Sequence, residues 1–222
     1  MATIEGSTDS ATRCGIDRTR VAGGRIGGVT GGLTHGTCCA SGTRILTRGG
    51  EIAVETLQVG FDVLTLGNGY QRLRWVGAQR LCAADLAAQP HLRPIRIRAG
   101  ALGLGQPDTD LIVSPQLRVL VRSEVAERMF GRAEVLVAAK QLLAPDGVEV
   151  AEDLAEVTYW HLRFDAPQVV FSNGALTESL PTGADAPEAL TPRAGGEMFQ
   201  ILPGLVRKVA ERLARYGKLP VA

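Results

Sequence analysis

The chain has 222 residues, 45% of them apolar, and a formal net charge of +1. That length suits one domain with tails or two small domains, with enough apolar side chain for a sizeable core. The near-even charge balance argues against a nucleic-acid partner, because phosphate binding needs clustered Lys/Arg. The local run Arg93 to Arg98, "RPIRIR", alternates charge with apolar residues and reads as the exposed face of a strand rather than a basic patch.

The four cysteines are Cys14, Cys38, Cys39 and Cys82. They are too few and too irregular for a disulfide scaffold, and without a C-x-x-C pair they offer no thiolate zinc site. No cofactor is implied. The first 20 residues lack the apolar region of a secretory signal, which leaves the cytoplasm as the default compartment. No run of 18 apolar residues is present, so no membrane span is expected.

Taken in chain order, residues 1–36 are rich in Gly, Ser and Thr and read as a flexible leader. From Cys38 the pattern changes. "TRILTRGGEIAVETL" predicts two short strands around Arg48-Gly49-Gly50, and two further strand-like runs flank Gly67-Asn68-Gly69. "LRPIRIRAGAL", "DLIVSP" and "LRVLVRS" predict strands, the last two around Ser114-Pro115. "AEVLVAAKQLL" predicts a strand and then one helical turn. Over 156–164, Val157, Tyr159, His161 and Arg163 share one face and Thr158, Trp160, Leu162 and Phe164 the other. "PQVVFSNG" predicts a strand ending in the turn Asn173-Gly174. Many short strands with turn signals between them mean an all-β domain. After a Pro/Gly/Ala linker, i, i+4, i+8 spacing from Leu205 predicts an amphipathic C-terminal α-helix, with Pro203 in its first turn and Gly217 at its cap. That helix either docks on the β domain or binds a protein partner.

The stretch "CCASGTRILTRGGEIAVETLQVGFDVLTLG" resembles the opening of Hint (hedgehog/intein) domains, in their bacterial version: a cysteine, four residues to Gly42-Thr43, a strand, then a run like V-E-x-L-x-V-G-D-x-V-L-T. "HLRPIRIRAGALG" with "DLIVSPQLRVLV" resembles the family's middle, and "EVTYWHLRFDAPQVVFSNGALTESL" its end. The resemblance implies an all-β, Hint-type twisted disc over residues 37–181, with a leader at 1–36 and the linker and α-helix at 182–222. It also implies self-processing chemistry. Cys38 takes the place of the family nucleophile, which attacks the carbonyl of the preceding residue, here Thr37, and turns the Thr37–Cys38 amide into a thioester by an N-to-S acyl shift. The substrate is then the chain's own N-terminal segment. Cleavage there separates residues 1–37 from residues 38–222.

Such a step needs a deprotonated thiol, hydrogen-bond donors for the oxyanion, and an acid for the leaving nitrogen. In the family a Thr/Ser-x-x-His motif serves the last two needs. Here it reads Ser114-Pro115-Gln116-Leu117: the hydroxyl stays and the histidine is gone. The family's late Asp-x-His reads Asp165-Ala166-Pro167. Its terminal His-Asn positions read Glu178-Ser179, so full splicing is not expected. Losing one general acid–base group costs on the order of 10²–10⁴-fold in rate, which implies a slow or inactive autoprotease. The rival reading is a degenerate Hint fold kept as an interaction or structural module. Among individual residues, Cys38 is either the nucleophile or a packed relic, and Cys39 is a small buried hydrophobe on the opposite strand face. His161 is either a structural, hydrogen-bonded histidine or a substitute acid. Asp165 is either a base or a turn carboxylate. Ser114 is held extended by Pro115 and can hydrogen-bond the scissile region. His35 and His91 read as solvated.

Overall fold

A computed structural model describes residues 38–122, 134–143 and 147–179. The leader, Thr37, the linker and the helix expected near the C-terminus lie outside the described residues. Among the described residues, no helix is long and apolar enough to cross a membrane.

Fourteen short strands are described. The first five are β1 (Cys39–Ala40), β2 (Arg44–Thr47), β3 (Gly50–Ala53), β4 (Asp62–Thr65) and β5 (Gly69–Arg72). The next five are β6 (Trp75–Leu81), β7 (Ile95–Ile97), β8 (Leu111–Val113), β9 (Arg118–Arg122) and β10 (Glu134–Ala138). The last four are β11 (Val148–Val150), β12 (Val157–Arg163), β13 (Val169–Ser172) and β14 (Ala175–Glu178). They form two sheets. One runs β11-β7-β8-β1-β12-β6; the other runs β10-β9-β14-β13-β2-β4-β5, with β3 added on β2. Every strand pair is antiparallel. The all-β expectation therefore holds.

Local chemistry explains the turns. Thr47 donates its hydroxyl to Gly50 O at 2.7 Å, and Thr65 donates to Gly69 O at 2.8 Å, closing the first two hairpins. Gly50 and Gly69 both sit at positive φ, 102° and 63°, which suits residues without a Cβ. The Asn173-Gly174 turn also has left-handed φ values, 47° and 76°. Asn173 ties it to two other segments: its Oδ1 accepts Arg44 N at 2.7 Å, and its Nδ2 donates to Asp110 O at 3.0 Å.

Two features depart from the sequence reading. The run after Gly69 is two strands in different sheets, because the chain leaves β5 at Leu73 and Arg74 N bonds Arg163 O beside β12. A short helix, α1 (Ala83–Ala88), follows β6. Cys82 caps it: Asp85 Oδ2 accepts from Cys82 N at 3.0 Å and Cys82 Sγ at 3.2 Å.

The core lies in several clusters between and around the sheets. The largest gathers Ile95, Ile97, Leu111, Val113, Leu117, Val119, Val135 and Val137 with Cys39. A second gathers Ile45, Val63, Leu73, Trp160, Leu162 and Phe164. The alternation read at 156–164 is thus real, but β12 is an interior strand with both faces largely buried. Arg96 of the basic run is held by Glu149 and Asp153, as a strand-face residue would be.

The Asn173-Gly174 turn supplies a test of the fold. A Cβ on Gly174 would adopt φ +76° and lie 2.4 Å from an Asp108 carboxylate oxygen. Gly174→Ala is expected to cost about 1–3 kcal/mol in urea unfolding; an unchanged midpoint would contradict this account of the turn.

Candidate functional site

Cys38 stands at the entry to β1, the strand between β8 and β12. Cys39 pairs with Val113 on one side and Trp160 on the other, and Ala40 pairs with Tyr159. Successive residues of a strand face opposite ways. Cys38 therefore packs with Ala40, Leu81, Leu86, Leu92, Val157 and Tyr159, whereas Cys39 packs in the largest core cluster. The Cys39 sulfur is 3.7 Å from Ser172 Oγ, which shares a 2.7 Å hydrogen bond with Thr177 Oγ1. This confirms the expected placement of Cys39 in the core, away from Cys38.

Ser114 follows β8 and holds Cys38 twice. Ser114 N donates to Cys38 O at 3.0 Å, and Ser114 Oγ accepts from Cys38 N at 3.3 Å. The second contact is chemically pointed. Cys38 N is the nitrogen of the amide that an acyl shift at this cysteine would break. Ser114 itself is buried, in the β-to-turn position that Pro115 enforces. Leu117 N closes the turn on Ser114 O at 3.0 Å.

On the other side lies His161, at the centre of β12. Carrying the register Cys39–Trp160 and Ala40–Tyr159 one residue further sets Cys38 across from His161. Such opposed residues in antiparallel strands share a face, with Cβ atoms about 4.5–5.5 Å apart. His161 is 0% exposed, and among the described residues neither of its ring nitrogens has a hydrogen-bond partner. Its other neighbour across the strands is Gly77. The Trp75 indole occupies the space a Gly77 Cβ would take, with ring carbons 2.2 Å and 2.4 Å from that point. The Arg163 guanidinium stacks over the same indole at 5.4 Å.

Electrostatically the pocket favours neutral forms. Burial pushes the Cys38 thiol far above its ordinary value; hydrogen bonding with Ser114 opposes this, and the Cys39 sulfur adds to it. Burial raises Cys39 to about 11, against hydrogen bonds with Ser172 and Thr177. His161 is lowered from 6.5 to about 4, chiefly by burial and also by Arg163. Burial also raises the Tyr159 phenol, whose hydroxyl donates to Leu92 O at 2.9 Å. A protonated thiol beside a neutral imidazole is the resting arrangement.

The remaining expected residues are placed elsewhere. Asp165 is not brought into this buried group: its side chain is 71% exposed, and both oxygens bind Arg74 at 2.8–3.0 Å. Leu117 fills a core position beside Cys39 rather than the Cys38 cluster. Gly42 takes φ +86°, and Thr43 donates its hydroxyl to Ala40 O at 2.8 Å, so both shape the bend after the cysteines. One charged pair escaped the sequence reading. Glu178 is buried and receives two hydrogen bonds from Arg118, from Nε and, at 2.7 Å, from Nη2. Burial raises its carboxyl and Arg118 lowers it. The partners are 60 residues apart; only the neighbouring Thr177–Val119 pairing reveals them.

The Hint domain family profile matches residues 37–184. The chain belongs to the Hint domain family. Among solved structures it is similar to a bacterial intein-like domain from Clostridium thermocellum, at 13% identity, covering 64% of this chain and 97% of that one, with a TM-score of 0.41. It is likewise similar to the gp41-1 intein, at 15% identity, 64% and 97% coverage and a TM-score of 0.38. The MchDnaB-1 intein matches at 13% identity, 64% and 98% coverage and a TM-score of 0.39. No curated protein matches.

The buried histidine has a measurable signature. Its folded pKa lies below the ordinary value, so the unfolded chain takes up the proton first as pH falls. Stability from this group is present above pH 6.5 and is lost as pH falls through about 4. The loss is on the order of 3 kcal/mol. Urea unfolding at pH 7 and pH 4.5 is expected to show a smaller acid-induced loss in His161→Gln than in the wild type. Equal losses would mean His161 is not buried neutral.

Proposed function

We propose that this Hint domain processes its own chain at Thr37–Cys38 by an N-to-S acyl shift, and does so slowly. The observation that carries the reading is the double hold of Ser114 on Cys38, which puts a hydroxyl on the nitrogen of the bond to be broken. In this reading the Cys38 thiol adds to the Thr37 carbonyl, and the C–N bond opens to leave a thioester and the free Cys38 amine. Water or an added thiol then takes the acyl group, releasing the N-terminal segment as the domain's own substrate. No cofactor enters the step.

Two observations support slowness. The Cys38 thiol is held in its protonated form by burial, and only the thiolate is a strong nucleophile. Leu117, where the family's motif has a histidine, carries no proton and packs in the core. The packing of Leu117 also favours the second reading, a Hint scaffold retained for binding or structure, with the amphipathic segment near the C-terminus as its contact for a protein partner. Glu178-Ser179 in place of a terminal His-Asn supports the absence of full splicing. Asp165, paired with Arg74 at the surface, is given no part in this chemistry.

Intact-mass measurement of the purified chain separates the two readings. With dithiothreitol, a product beginning at Cys38 is expected to accumulate over hours to days, and Cys38→Ala is expected to stay whole. Ser114→Ala is expected to slow the product by roughly tenfold, the value of one hydrogen bond of about 1.4 kcal/mol. A full-length wild-type mass after days in dithiothreitol would favour the scaffold reading.

A further inference from the structure

The acyl shift moves one proton between two atoms of a single residue, from Cys38 Sγ to Cys38 N. Ser114 holds the receiving nitrogen but is itself a weak acid and base. Leu117 holds no proton. Some other group beside Cys38 is needed to carry it.

We propose that His161 is the proton carrier for Cys38, a catalytic residue placed by the strand register and not by the family's Ser/Thr-x-x-His motif. The inference rests on the acyl-shift reading of the same site. Three observations support it. The β1–β12 register, carried one residue past Cys39–Trp160, sets His161 across from Cys38. Its ring is fully enclosed, and among the described residues both nitrogens lack a partner. Buried polar groups without hydrogen bonds are costly, at about 1–3 kcal/mol each, and such exceptions call for a reason. A structural histidine in a core is hydrogen-bonded; this one has no partner among the described residues, the Cys38 sulfur included, and shares a sheet face with that thiol.

The step balances without any further reactant. The imidazole takes the Sγ proton on one nitrogen as sulfur bonds the Thr37 carbonyl carbon. The tetrahedral centre then collapses, the C–N bond breaks, and the imidazolium returns the proton to Cys38 N. The ring ends neutral, as it began. The full burial of the His161 ring keeps bulk water from competing for that proton.

This carrier predicts an unusual pH profile. The titratable or charged groups facing His161 are Cys38 from β1, and Tyr159 and Arg163 from β12; β6 contributes Trp75 and Gly77, and the turn after β8 contributes the Ser114 hydroxyl. If the reactive form is a neutral thiol beside a neutral imidazole, it is fully populated from pH 6 to 9. If instead bulk solvent must first remove the thiol proton, the rate climbs about tenfold per pH unit, because so high a thiol pKa leaves the thiolate scarce throughout.

The experiment is single-turnover cleavage of the full chain at saturating dithiothreitol, followed by intact mass from pH 6 to 9. A flat wild-type profile is expected. His161→Gln, checked for folding by circular dichroism, is expected to be slower by on the order of 10²-fold and to acquire the tenfold-per-unit slope. In His161→Gly, added imidazole is expected to restore a measurable part of the rate. A wild-type profile that climbs tenfold per unit overturns the proposal even if no variant folds, as does a folded His161→Gln that cleaves at the wild-type rate. These results leave the acyl shift standing. No cleavage in the wild type, with Cys38→Ala equally silent, would instead remove the acyl shift itself and this proposal with it.

Discussion

The site depends on the pairing register of one very short strand. β1 has only two residues, yet it is paired on both sides, by β8 and by β12. Because side chains alternate across a sheet, a slip of one residue would turn each cysteine to the opposite face and put one of them in the other's place. The polar group Ser172–Thr177 waits on the Cys39 face and Ser114 on the Cys38 backbone, so only one register satisfies both. Thr43 and Gly42 then turn the chain away at once, and Ser41 N bonds Thr158 O to lock the exit. Two adjacent cysteines of identical chemistry thus acquire different surroundings from backbone geometry alone.

Burial then sets the resting chemistry. The same apolar enclosure that orders Cys38 raises its thiol, and the enclosure around β12 lowers His161. Both shifts favour uncharged partners, so the ground state holds no ion pair and the thiol is dormant. The same burial leaves thiolate scarce at neutral pH, and only the thiolate is a strong nucleophile.

Much of this was legible in the sequence, for definite reasons. The glycine and asparagine turns at 48–50, 67–69 and 173–174 have local causes, and the hairpins follow them. The faces of 157–164 follow from a period of two. What escaped lay in long-range pairing. No turn residue separates Gln71 from Trp75, so the change of sheet at Leu73 leaves no mark in the pattern. The helix Ala83–Ala88 is one and a half turns long and capped by a cysteine, where a search expects Ser, Thr, Asp or Asn. Glu178 reads as a strand-end carboxylate until β14 is laid beside β9, which brings it to Arg118. His161 could be put on a face, but its neighbour Cys38 follows only from the β1–β12 register.

The turn after β8 shows how placement and proton transfer come apart. In Ser114-Pro115-Gln116-Leu117 the first and last residues close on each other, with Leu117 N on Ser114 O. One end presents a hydroxyl to Cys38 N; the other drives an apolar side chain into the largest core cluster. A histidine at that last position would bring a polar ring among Val119, Val135 and Val137, at a desolvation cost unless bonded. Leucine carries no such cost and closes the turn whose first residue holds the Cys38 nitrogen. The turn therefore holds the Cys38 backbone while its last residue packs in the core on the Cys39 side. Two separate devices thus surround Cys38: the turn after β8 holds its backbone, and the β1–β12 register, carried one residue past Cys39, sets His161 across from it.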